Sequence, residues 1–308
     1  MTQPDGLRTI TLEEHFATPA FLDGAGRRLK EPGRPDARLL LRRLQDLGDG
    51  RIAEMDAAGI DVQVLSLTAP GTEQLPPDEA RALASEANAA LAEAIGRHPD
   101  RFAGFAVVPT PDPERAADEL ERAVRQLGFK GAVVNGHVGG RYLDDPFFWP
   151  LFERAEALGV PIYLHPTPPP EPVAATYYRG HFPPAVAEAF ATHGWGWHIE
   201  SALHVLRIVL GGVFDRYPRL QLIMGHLGET LPFMLERLST PCRPASRDWS
   251  GRSETTSGRT STTRSAASPT CRPSSTCCCR WERTASSSRP TIPSPRWRAP
   301  APSLAACP

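Results

Sequence analysis

Short, nearly unbroken apolar runs alternate along the first 238 residues with longer stretches in which Ala and Leu recur at helical spacing. The runs read RTITLEEH (residues 8–15), DVQVLSLT (61–68), FAGFAVVP (102–109), KGAVVNGH (130–137), VPIYLHP (160–166) and LQLIMGH (220–226), and six strands are predicted from them. The stretches 77–98, 113–127 and 146–158 predict helices, because each opens at Pro or Asp and closes near Gly. A repeated strand-then-helix order, with strands apolar on both faces, predicts a parallel sheet covered on both sides, either a barrel or an open doubly wound sheet. No G-x-G-x-x-G or G-x-x-x-x-G-K-[ST] follows any of these strands, so a nucleotide-binding sheet loses support.

Composition changes sharply after this region. Residues 239–308 contain only Ile292 and Leu304 as aliphatic side chains larger than Ala, and Ser, Thr, Pro and Arg fill most of the rest. Such a segment cannot bury enough apolar area to offset chain entropy. The expected organisation is one catalytic domain over residues 1–238 and a disordered tail over 239–308. All six cysteines lie in the tail. Cys277, Cys278 and Cys279 are adjacent and cannot converge on one ion as C-x-x-C pairs do, and a disulfide framework does not suit a cytoplasmic chain. A net charge of −1 offers no long-range attraction to nucleic acid or anionic lipid. No run reaches the roughly 18 apolar residues that span a bilayer. The first residues lack a basic-then-apolar leader, so the cytoplasm is expected.

The chemistry sits where strands end. Glu13 and His15 close the first strand, His165 the fifth and His226 the sixth. In a barrel, active sites are built at the C-terminal ends of the strands. Side chains two apart on a strand point the same way, so Glu13 and His15 can reach one ion, with His165 adding an imidazole from across the mouth. A mixed nitrogen and oxygen set suits Zn or Mn. Any one of these residues alone fits a hydrogen-bonded structural role; four at matching strand ends point to a site. Four further histidines, His181, His193, His198 and His204, lie in a loop-to-helix region from which one can reach a substrate.

The motifs TLEEHFATPAF, LQDLGDGRIAEMDAAGIDVQVLSL, YLHP and MGHLGETLPFMLERL resemble the amidohydrolase-related family, in its subgroup of metal-dependent non-oxidative decarboxylases. The likeness runs from about residue 8 to 238. It implies a (β/α)8 barrel of the metal-dependent hydrolase type, with Glu13, His15 and His165 as ligands of one divalent ion. It implies further that His226 acts as acid/base beside the substrate, backed by Glu229, and that Arg237 meets the carboxylate of a small aromatic acid. Taken without the family, Glu229 equally fits charge complementation at a helix N-terminus, and Arg237 fits a solvent-exposed helix position. The implied reaction is decarboxylation of a hydroxylated aromatic or related enol acid by a homo-oligomer; a metal-dependent hydrolase on the same barrel is the second reading, and an incomplete, inactive barrel the third.

Only six of eight family strands are legible, and the aspartate that ends the last one, in an ILFSxDYPF-like segment, is missing. The stretch STCCCRWERTASSSRPTIPSP at 275–295 offers a reason. Serine codons TCN read one base earlier become NTC, which encodes Phe, Leu, Ile or Val, so a serine run conceals an apolar strand. With third bases chosen freely, the stretch re-reads as a strand ending Phe-Ser-Pro-Asp-Tyr-Pro-Phe, its aspartate straddling Pro290 and Thr291 of the present frame. The tail is therefore expected to be the last barrel strands out of frame, with the shift between residues 238 and 254 and activity impaired.

Overall fold

The computed structural model describes residues 8–31 and 37–239. The expected tail, its shifted frame and any closing strands lie outside the described residues.

Among the described residues seven strand segments occur in chain order: β1 (Ile10–Phe16), β2 (Val62–Leu67), β3 (Phe102–Gly104), β4 (Ala106–Val107), β5 (Ala132–Asn135), β6 (Pro161–His165) and β7 (Gln221–Met224). Every ladder is parallel. β1 pairs with β2 and β2 with β3, while β4, β5, β6 and β7 form a second run. The six strands read from the sequence are all present, but the third is divided at Phe105. There the chain changes partner. Phe105 donates its N–H to Leu65 of β2 at 2.9 Å, whereas Ala106 donates to Gly131, ahead of β5, at 2.8 Å. The splay leaves Val107 with a free backbone edge, and Asn88 fills it: its Oδ1 accepts the Val107 N–H and its Nδ2 donates to the Val107 carbonyl, both at 2.8 Å. Asn88 is fully buried, and this pairing is what makes its burial tolerable.

The predicted helices form over Pro77–Arg97 and Pro113–Leu127, and the third opens as a 3-10 turn, Pro146–Phe148, before the helix Trp149–Leu158. Asp112 caps the second of these by accepting from the Arg115 N–H at 3.3 Å, and Gly128 ends it at φ 73°, a conformation that costs a side-chain residue energy. Most of the apolar core lies between the helices and the outer face of the strands.

A smaller apolar cluster fills the inside: Val64, Phe105, Val133, Tyr163 and Ile223, with Leu12 packed against it. Phe105 and Tyr163 stack at 5.9 Å between centroids. Leu12 of the first strand and Ile223 of the last share this one interior, so the strands curl around it, as in a barrel of the TIM type. The cluster forms a largely apolar floor, and the strand ends above it carry the polar groups.

Candidate active site

A bulge in β1 sets the first two groups. Thr11 pairs with Gln63 and Glu14 with Leu65, so Leu12 and Glu13 together oppose Val64. The extra residue lets Leu12 stay on the interior floor while Glu13 and His15 both turn to the mouth. His165 ends β6, in register with Asn135 of β5, which therefore faces the same way. The ligand atoms of Glu13, His15 and His165 all lie within 4.8 Å of one another.

Hydrogen bonds aim these imidazoles. His165 donates Nδ1–H to the Pro166 carbonyl at 2.8 Å, which fixes the tautomer and leaves the Nε2 lone pair directed at Glu13, 3.6 Å away. His15 is held through Nδ1 by the Ser66 hydroxyl at 3.1 Å, and its ring meets that of His165 edge-on at 4.7 Å. Burial pushes both imidazoles toward the neutral form, His165 down to about 3. Glu13 moves the other way. Burial alone would raise it, but the hydrogen bond and charge of His226, with His165 and His15 nearby, hold it below the ordinary carboxylate range. Gly225, just past β7, makes room: a Cβ there would stand 2.7 Å from the Tyr163 hydroxyl and 3.2 Å from Glu13 Oε2. Two neutral imidazoles and a carboxylate converging on a shielded point, with outer hydrogen bonds already made, fit a single divalent cation such as Zn or Mn.

Beside this cage, residues 226–230 wind left-handed. His226, Leu227, Glu229 and Thr230 have φ of 45°, 57°, 51° and 69°, and Gly228 between them has 85°. Non-glycine residues adopt this region only when their surroundings over-determine it. The result is that His226 and Glu229 fold back on one another, Nδ1 to Oε1 at 2.6 Å, while His226 Nε2 reaches Glu13 Oε1 at 3.1 Å. Burial works against charge on His226, but the hydrogen bonds to Glu13 and Glu229 more than offset it and push the imidazole up to about 10. Glu229 is buried, and its second oxygen meets His198 Nδ1 at 2.7 Å.

Five of the six site residues read from the sequence thus stand in one connected group: Glu13, His15, His165, His226 and Glu229. Arg237 lies exposed on the helix Leu231–Ser239 and forms no ion pair among the described residues. Of the four histidines between 181 and 204, which local pattern does not tell apart, His198 is the one that joins this group. His181 and His193 are exposed, and His204 is buried, accepting the Leu143 N–H at 2.8 Å. The signal that singles out His198 is the need of a buried carboxylate for a donor on each oxygen.

The amidohydrolase family model matches residues 15–241. The chain belongs to the amidohydrolase family. Among its relatives, decarboxylase orsB of Emericella nidulans is 41% identical over 249 residues, covering 79% of this chain and 70% of the relative. The gamma-resorcylate decarboxylase of Polaromonas sp. is 41% identical over 254 residues, covering 77% and 74%. Among solved structures of this fold, 5-carboxyvanillate decarboxylase from Novosphingobium aromaticivorans, complexed with manganese and 4-hydroxy-3-methoxy-5-nitrobenzoic acid, superposes with a TM-score of 0.70 at 39% identity, covering 76% of this chain and 69% of that one. All three of these relatives are carboxy-lyases, and the last of them holds manganese.

Proposed function

We propose that the chain is a divalent-metal-dependent, non-oxidative decarboxylase of a hydroxylated aromatic acid, with Glu13, His15 and His165 as metal ligands. The observation that carries this reading is the Glu13 carboxylate, shared at 3.6 Å and 3.1 Å between His165 of the metal cage and His226 of the acid–base pair. The names of the relatives supply the substrate class, a benzoate with a hydroxyl beside the carboxylate.

The overall reaction is Ar–COO⁻ + H⁺ → Ar–H + CO2. The bond from ring carbon to carboxylate breaks, its electron pair stays on the ring, and a proton takes the vacated position. A bound divalent cation would hold the carboxylate and adjacent hydroxyl oxygens and offset their negative charge. The remaining work falls to side chains. His226 holds a proton on Nδ1 against Glu229 and presents Nε2 toward the site, where it manages the phenolic proton. Glu229 keeps that Nδ1 proton in place and balances the charge on the ring. Tyr163 and Phe105 close the floor to water beneath them. Arg237 carries the cation proposed for the substrate carboxylate. No NAD, flavin or pyridoxal phosphate is required, since no electrons leave the substrate.

In this reading a further aspartate, which completes the cage and donates the ring proton, belongs to the segment encoded out of frame after residue 238. Activity is weak in the chain as written and rises when one base is restored. Zn and Mn both suit the ligands, and the manganese of the relative favours Mn. No helix of the described residues is long and apolar enough to cross a membrane. A cytoplasmic homo-oligomer without nucleic-acid partners completes the proposal. The test is release of CO2 from gamma-resorcylate, which is 2,6-dihydroxybenzoate, by the metal-loaded chain. Release of an amine or alcohol from an amide or ester instead would replace the lyase by a hydrolase.

A further inference from the structure

A buried carboxylate with two imidazoles is more than an acid–base pair needs. Glu229 is 1% exposed, and its oxygens are divided between two rings: Oε1 faces His226 Nδ1 at 2.6 Å and Oε2 faces His198 Nδ1 at 2.7 Å. A carboxylate can only accept, so each imidazole presents Nδ1–H to it. The two rings also meet directly, edge to face, with centroids 4.9 Å apart.

The two histidines come from independent supports. His226 rides on the left-handed turn after β7, in which no regular ladder fixes the backbone. His198 sits in the first turn of the helix Gly196–Leu210. That helix is fastened elsewhere: Glu200 accepts from the Tyr142 hydroxyl, His204 accepts the Leu143 N–H, and Arg207 pairs with Asp144 at 2.9 Å. The segment Tyr142–Asp144 thus holds the helix from one side, and His198 extends that hold to Glu229. Without His198, Oε2 would be a buried acceptor with no donor, and the carboxylate would be free to rotate away from Nδ1 of His226.

We propose that His198 is a positioning residue for the acid–base pair: it occupies Glu229 Oε2, locks the carboxylate rotamer, and thereby keeps Oε1 on His226 Nδ1 and His226 Nε2 turned to the site. The inference deepens the decarboxylase reading and rests on it for the meaning of the pair, but the clamp itself is a matter of geometry. It assigns a role to a side chain that carries no motif and lies 28 residues ahead of His226 in the chain.

The test uses the full chain, metal-loaded, with three variants. His198→Asn keeps an N–H donor close to the Nδ1 position, His198→Phe keeps ring volume without a donor, and His198→Ala removes both. The first readout is the ¹H–¹⁵N spectrum of the imidazoles, with the His226 Nδ1–H signal assigned by its loss in His226→Gln. That proton should resonate far downfield in the wild type and in His198→Asn, and should move upfield or exchange away in His198→Phe and His198→Ala. The second readout is turnover. The donor-free variants should lose about tenfold or more in kcat, the worth of a charge-assisted hydrogen bond, with KM within about twofold, and His198→Asn should recover most of it. A His226 signal unchanged in His198→Phe and His198→Ala overturns the proposal. The expected spectral changes, seen in a chain that releases no CO2 with any variant, would support the clamp and count against the decarboxylase reading alone.

Discussion

Glu13 Oε1, on β1, stands 3.1 Å from Nε2 of His226, which directly follows β7. The same oxygen is 3.6 Å from Nε2 of His165. One carboxylate therefore joins the group that can hold a cation to the group that can move a proton. Glu13→Gln keeps the shape and removes the charge. The expected outcome is a fall in Mn affinity of at least about 100-fold, beyond the 10- to 100-fold typical of losing a ligand's hydrogen-bond partner, with CO2 release lost in parallel. Titration calorimetry with Mn reads the first and a coupled CO2 assay the second. Undiminished Mn binding would show that Glu13 is not a ligand.

Glu229 touches no member of the cation cage directly. Glu229→Gln should leave Mn content unchanged while lowering kcat by about 10²- to 10⁴-fold, the usual worth of a positioned proton-transfer group. KM should change little, because the ring hydroxyls and carboxylate still have their partners. A variant with full kcat would reduce Glu229 to a structural cap.

Much of this site is legible before any fold is known, for a physical reason. Glu13 and His15 are separated by two residues of strand periodicity, and His165 and His226 each end an apolar run, so side-chain period and strand polarity alone put them at one mouth. The third strand shows where such reading stops. Residues 102–109 look like one strand, yet the chain exchanges β2 for β5 at Phe105, and only the curl of the sheet and the buried Asn88 decide that. The β1 bulge is equally silent, since Leu12 and Glu13 differ from an ordinary alternation only once Val64 lies opposite both. His198 is set by long-range packing of its helix against Tyr142–Asp144, and no local pattern encodes that. The expected shift of frame concerns residues outside those described.

A second buried carboxyl makes a prediction about pH. Glu73 is 2% exposed in the loop after β2, accepting the Asn135 N–H through Oε1 at 2.8 Å. Burial pushes it up to about 7, against backbone hydrogen bonds that pull it down. Between the ordinary value of 4.5 and about 7, the folded chain keeps a proton that the unfolded chain has released. Stability contributed by the protonated group is thus whole below 4.5 and is lost as pH rises to about 7. Glu73→Gln should flatten this fall, gaining roughly 3 kcal/mol on wild type between pH 4.5 and 8. Urea unfolding across that range measures it, and parallel curves for the two proteins would refute the assignment.

The tail enters as a question of rate. If the tail is the last barrel strands read out of frame, restoring one base between codons 238 and 254 should raise soluble yield and speed CO2 release by orders of magnitude, because closing strands and a carboxylate would then join the site. Sequencing the gene across that region, then assaying both chains, decides it. A gene confirmed in the present frame, with the chain fully active, would contradict the shift.

The decisive measurement is CO2 evolved from 2,6-dihydroxybenzoate by the frame-restored chain, loaded with Mn, stripped with chelator, and reloaded. A metal-dependent decarboxylase should give one CO2 and one resorcinol per substrate consumed, no activity after stripping, and recovery on adding Mn back. Turnover that persists in fully stripped protein, or a loaded enzyme that leaves this acid intact while hydrolysing an amide or ester, would contradict that assignment.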